Sequence, residues 1–154
     1  MDACLVTDAE LPIGAHLVTP RGGFTHHGIY AGNGKVIHYA GLCHSFRSGP
    51  VEEVSLAGFA LGNKIRIEGT LRPCFDRVEI VARARSRLGE TRYRLLTNNC
   101  EHFCTWCIQG KSRSRQVRCC LARPVRTVRA AITLLRMVFA SRAHAPGAAV
   151  IAAA

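Results

Sequence analysis

The chain has 154 residues, 48% of them hydrophobic and 20% charged, with 21 Lys and Arg against 10 Asp and Glu and a formal charge of +11. That length suits one domain, and the composition excludes a disordered chain, a collagen and a coiled coil. Beyond residue 22 the longest stretch without a charged residue is about a dozen positions, well short of the roughly 20 apolar residues that a spanning helix needs.

Residues 1–101 hold 12 basic and all 10 acidic residues, whereas residues 102–154 hold nine basic residues and no acidic ones. A nearly neutral body therefore carries a strongly basic tail. The start, Met1-Asp2-Ala3-Cys4-Leu5-Val6, has no basic region followed by an apolar run, so no secretory signal is read there. A reducing, cytoplasmic setting is expected, and the eight cysteines read as free, metal-bound or catalytic thiols rather than disulfides.

Taken in chain order, His16-Leu17-Val18-Thr19 is the first predicted strand. Residues 28–32 and 35–39 are strand-like runs around Asn33-Gly34, a hairpin signal. Loop length decides which histidines share a face. A two-residue loop pairs Ile29 with His38 and puts His38 on the face of His27. A three-residue loop, Gly32-Asn33-Gly34 with a bulge, pairs Gly28 with His38 and brings His26 and His38 together. The sequence allows both, and Gly on each side of Asn33 mildly favours the longer loop. Residues 64–68 alternate apolar and charged, as a half-buried strand does. A helix is predicted over 77–88, with Asp76 and Glu79 at capping-box spacing, Phe75 and Ile80 placed for a hydrophobic staple, and Gly89 in the stop position. A second helix starts at Asn98 or Asn99 and stops at Gly110. Strands precede helices, which reads as an α+β domain.

Chemistry concentrates in Asn98-Asn99-Cys100-Glu101-His102-Phe103. With Asn98 as N-cap, Glu101 closes a capping box and Cys100 falls in the first turn. The helix macrodipole and unpaired N–H groups there favour a thiolate. Cys100, Phe103, Cys104 and Cys107 also fall at i, i+3, i+4 and i+7, so burial is the expected fate of Cys104 and Cys107. His26, His27 and His38 on the hairpin are the candidate bases, because a histidine is the usual activator of a cysteine nucleophile. Two metal readings are disfavoured. Cys100, Cys104 and Cys107 have an iron–sulfur-like spacing but lie on a helix late in the chain. Cys104 and Cys107 with the adjacent pair Cys119 and Cys120 match paired zinc-ligand spacing poorly.

The chain is expected to divide into a folded domain over 1–110 that carries the candidate site, a basic linker over 111–123, and an amphipathic basic helix with an Ala-rich tail over 124–154. Pro124 suits a first helical turn. Val125, Val128, Ile132, Leu135 and Phe139 form an apolar stripe, with Arg126, Arg129, Thr133 and Arg136 lining much of the other side. Residues 124–142 therefore read as an interfacial helix on an anionic membrane surface, where each Lys or Arg contributes about 1 kcal/mol. The competing reading is a helix packed on its own domain. Arg136 and Arg142 interrupt a spanning segment, and nothing resembles a nucleic-acid-binding module, so no nucleic-acid partner is expected.

His26, Ile29-Tyr30, Gly32-x-Gly34 and His38, followed by Asn99-Cys100-Glu101-His102-Phe103, resemble the lecithin:retinol acyltransferase family, which includes the small phospholipase/acyltransferases. That family belongs to the circularly permuted NlpC-type branch of papain-like cysteine enzymes. The likeness runs from Leu11 to Gln109 and includes Tyr93-Arg94-Leu95. It implies an antiparallel sheet packed on helices, with Cys100 as nucleophile at a helix start, His26 as its general base and His38 orienting His26. It implies the odd-numbered hairpin loop. A phospholipid or other acyl ester is the implied substrate, attacked through a Cys thioester at a site peripheral to a membrane, with no metal or organic cofactor. Two positions depart from the family pattern. His27 stands where many members have Trp, which removes a lipid-facing aromatic and makes His27 a rival base. Ala15 follows Gly14 where Asp is common. The alternatives are an NlpC-type amide or peptide hydrolase, and a membrane-docking protein with the site unused.

Overall fold

A computed structural model describes residues 11–41, 49–69 and 71–122, together with the single positions Val128 and Ile132. Five antiparallel strands, β1 (His16–Arg21), β2 (Phe24–Gly32), β3 (Lys35–Gly41), β4 (Gly49–Ser55) and β5 (Arg66–Ile67), form one sheet in the order β4-β3-β2-β1-β5. Helices α1 (Leu56–Ala60), α2 (Arg77–Arg85), α3 (Cys100–Gln109) and α4 (Arg115–Ala122) accompany it. The mixed α and β content agrees with the expected class.

The hairpin reaches the odd parity by a different device from the one expected. Asn33 and Gly34 have φ of 52° and 67°, so they make a two-residue turn of the primed kind that matches strand twist. Gly32 pairs with Lys35 across it, and the register then shifts between Tyr30 and Gly32. This bulge at Ala31 resets the pairing so that Gly28 faces His38.

Several boundaries move. β2 begins four residues before the expected 28, and β1 runs on through Pro20 and Arg21. The expected strand over 64–68 shrinks to Arg66 and Ile67, both exposed at the sheet edge. α2 starts as expected, with Asp76 accepting from the Glu79 N–H at 2.8 Å. It ends at Arg85, and turns carry the chain to Gly89 at φ 81°. The pair β4 and α1 was not anticipated. Ser55 closes β4 against Lys35 of β3 and caps α1 by accepting from the Gly58 N–H. At the other end of α1, the Arg21 guanidinium of β1 donates to the Phe59 and Ala60 carbonyls, satisfying groups a short helix leaves unpaired. The expected linker over 111–123 contains α4.

Strand alternation sorts the core into two layers. Ile29, Ile37, Tyr39 and Val51 pack against Ile80, Val81 and Ala84 of α2 and Phe103, Cys104, Cys107 and Ile108 of α3. Leu17, Tyr30 and Val36 pack with Phe59 of α1 in the second layer. Gly28 is required there: a Cβ would lie 2.6 Å from Val36 Cγ1 and 2.9 Å from Phe59 Cε2. Its absence lets the Phe59 ring settle on the sheet between the histidines.

Candidate active site

His26 and His38 are in phase with Gly28 and are buried. His26 Nε2 lies 2.8 Å from His38 Nδ1, and the two rings meet edge to face. Phe59 covers both, with ring centroids 5.4 Å from His26 and 5.6 Å from His38. His38 Nε2 lies 3.4 Å from Glu52 Oε1, its direct cross-strand neighbour on β4. This order fixes the proton positions. A carboxylate accepts from His38 Nε2–H, so His38 Nδ1 accepts from His26 Nε2–H, and the basic lone pair of His26 stands on Nδ1. Glu52 was missed from sequence because Val51-Glu52-Glu53-Val54 does not alternate cleanly.

His27 points the other way and is buried rather than lipid-facing. Its Nδ1 lies 2.9 Å from His16 Nε2, and its Nε2 lies 2.9 Å from Gln116 Nε2. Gln116 is oriented beyond ambiguity, since its Oε1 accepts from the Thr25 N–H at 2.9 Å and its Nε2 donates to the Thr25 carbonyl at 3.0 Å. The amide therefore donates to His27 Nε2, His27 donates through Nδ1, and His16 carries its hydrogen on Nδ1, a buried atom with no partner among the described residues. Burial lowers His16 to about 3 and His27 to about 4, so both are neutral. Both ring nitrogens of His27 are thus engaged, on the face of the sheet where α3 packs.

Cys100 is the first residue of α3, is buried, and packs in the first layer with Ile29, Ile37 and Tyr39, on the face of the sheet that His27 shares, whereas His26 and His38 lie with Phe59 in the second layer. The N-cap is Asn99 rather than Asn98. Asn99 Oδ1 accepts from the Glu101 and His102 N–H groups, each at 3.0 Å. His102, at the third helical position, brings Nδ1 to 3.4 Å from the Asn99 nitrogen and closes the capping box that Glu101 was expected to close. Asn98 instead joins a network in which Arg87 holds Glu90 by two bonds of 2.6 and 2.7 Å, and Asn98 and Tyr39 donate to Glu90 Oε1. These bonds, Arg87 foremost, hold the Glu90 carboxyl down at about 2. The network anchors the segment that delivers Cys100 to its helix.

Glu101 turns toward α4. Its Oε2 accepts from Ser114 Oγ at 2.6 Å and the Gln116 N–H at 3.0 Å. Farther along α3, Cys104 and Cys107 are fully buried, as the stripe predicted. Burial raises both thiols, Cys107 to about 12, which excludes them as thiolates near neutral pH. Cys119 is exposed. Among the described residues no group of three or more His, Cys, Asp or Glu is arranged to hold a metal ion. A cleft of about 170 Å³ lined by His16, Glu101, Thr105, Gln109 and Ser114, among others, runs beside α3 and does not include the His26–His38 pair.

The expected interfacial helix over 124–142 lies outside the described residues except for Val128 and Ile132, which are helical and 58% and 45% exposed. No described helix is long and apolar enough to cross a membrane.

Residues 9–113 match the lecithin retinol acyltransferase family. The chain is 31% identical over 127 residues to human lecithin retinol acyltransferase, covering 65% of this chain and 55% of that protein. The bovine protein of the same name gives 31% over 132 residues with the same coverage. Human phospholipase A and acyltransferase 4 is also 31% identical, over 113 residues, covering 63% of this chain and 69% of that protein. The chain thus spans little more than half the length of the lecithin retinol acyltransferases it matches. Because the family match takes in β1 to β5, both paired histidines and all of α3, and exceeds half the sequence, this chain belongs to the lecithin retinol acyltransferase family.

Proposed function

We propose that the chain catalyses thiol-dependent acyl transfer on lipid esters, as phospholipase or acyltransferase, on a circularly permuted NlpC-type papain-like fold. The observation that carries this reading is the buried His26–His38 pair at 2.8 Å. It supplies an oriented base on strands that precede the cysteine helix, the reverse of papain's order.

His26 Nδ1 takes the proton from Cys100 Sγ, and the thiolate attacks the ester carbonyl carbon. The resulting imidazolium is stabilised through His38 and Glu52. The developing oxyanion is received at the α3 N-terminus, where the helix dipole favours negative charge and where Asn99 holds the Glu101 and His102 N–H groups. The tetrahedral adduct collapses as the C–O bond breaks, and His26 returns its proton to the leaving alkoxide. Water, an alcohol or an amine then attacks the thioester with His26 as base, and the thiol is regenerated. The basic arm places this chemistry on an anionic membrane. The exposure of Leu121 at 73%, and of Val128 and Ile132, leaves apolar side chains available for that contact.

Site-resolved alkylation tests the activated thiol. Cys100 is expected to react with iodoacetamide at pH 6.5 faster than a free cysteine, and His26→Ala to remove the advantage. Reaction at the free-thiol rate contradicts the proposal.

A further inference from the structure

Gln116 lies beyond the matched segment, which ends at residue 113, yet it bonds to residues adjoining both parts of the proposed site. Its side-chain amide pairs with both backbone groups of Thr25, the residue before His26, at 2.9 and 3.0 Å. Its backbone N–H donates at 3.0 Å to the carboxylate of Glu101, the residue after Cys100, and its Nε2 lies 3.5 Å from the same oxygen. Ser114 adds a 2.6 Å bond to that oxygen and accepts from the Val117 N–H at 3.1 Å, which starts α4 on the spot. The third amide contact, to His27 Nε2, holds the His27 ring on the opposite face of β2 from His26. One half-buried side chain thus bridges the strand that carries the proposed base and the helix that carries the proposed nucleophile.

We propose that Gln116 is a positioning residue for acyl transfer: through Thr25 and Glu101 it sets the spacing between His26 and Cys100, and so makes α4 part of the catalytic unit. The proposal rests on the assignment of Cys100 and His26 above. A nucleophile and base displaced by about 1 Å lose on the order of a hundredfold in rate, so small losses of registration are visible in kcat.

The test uses the full chain with short-chain phosphatidylcholine as substrate. Gln116→Met keeps the side-chain length and removes every amide bond. It is expected to lower kcat at least about tenfold with KM unchanged, and to slow Cys100 alkylation at pH 6.5 relative to the parent. Gln116→Glu keeps the acceptor for Thr25, loses the donors and sets a second carboxylate beside Glu101, so it is expected to be no better. Parent-like kcat and alkylation in a folded Gln116→Met protein, even with a lowered melting temperature, overturn the proposal by making the residue merely structural. If Gln116→Met does not fold, Gln116→Asn, which keeps the amide but shortens its reach to Thr25 by one methylene, decides. Loss of kcat at constant KM supports the clamp, and parent-like kcat overturns it. Cys100→Ala run beside these variants separates the two claims, because turnover surviving in that variant sinks the nucleophile assignment rather than the clamp.

Discussion

At the level of single residues the two adjacent histidines of β2 have opposite fates because successive strand residues face opposite layers. His26 meets His38 and Phe59, whereas His27 is tied to His16 and Gln116. Loss of a general base costs about 10²–10⁴-fold, so His26→Ala is expected to reduce turnover by that amount, and His27→Ala by about tenfold or less alongside a clear loss of stability. The opposite ranking in a steady-state assay would make His27 the base. Glu52→Gln keeps the shape of the third member but removes the charge that favours the His26 imidazolium. A several-fold fall in kcat with little change in KM is the expected result, and an unchanged kcat would remove Glu52 from the relay.

At the level of elements, α3 depends on one side chain at its start. Asn99→Ala deletes the acceptor for two N–H groups, which should cost about 1–2 kcal/mol in a denaturant titration. Asn98→Ala acts instead through Glu90 and Arg92, and should leave the alkylation rate of Cys100 less affected than Asn99→Ala does. How much of this was legible in the sequence differs by element. The helix stop at Gly110 and the Asp76 cap follow from local rules that the structure obeys, whereas α2 ends at Arg85, short of the expected Gly89 stop, and the shared face of His26 and His38, one of two registers the hairpin allowed, is set by the bulge at Ala31. The choice of Asn99 over Asn98 followed from no local rule, because both side chains suit a cap and the deciding partners, Glu90 and Arg87, are distant contacts. β4 and α1 were hidden for a related reason: their pattern becomes meaningful only once β3 and Arg21 are beside them. Gln116 was invisible because nothing local distinguishes it within a basic run.

At the level of the molecule, the formal charge of +11 separates into a nearly neutral stretch over 1–101 and a basic one over 102–154, of which Lys111, Arg113, Arg115 and Arg118 belong to the described fold around α4. Acid sensitivity comes from burial instead. His16 and His27 are held at about 3 and 4 when folded, against about 6.5 when unfolded. The unfolded chain therefore binds more protons below pH 6.5, and stability should fall from there toward pH 4, by up to about 1.4 kcal/mol per pH unit for each proton taken up. Glu90, held at about 2, adds a separate loss only below about pH 4.5. Melting temperatures that stay level from pH 7 to pH 5 would contradict the neutral histidine pair. The central claim is the covalent step on Cys100, and intact-protein mass spectrometry after mixing the chain with phosphatidylcholine tests it most directly. An acyl adduct mapped to Cys100, absent in Cys100→Ala and diminished in His26→Ala, is the predicted result. Phospholipid turnover that persists in Cys100→Ala would contradict it.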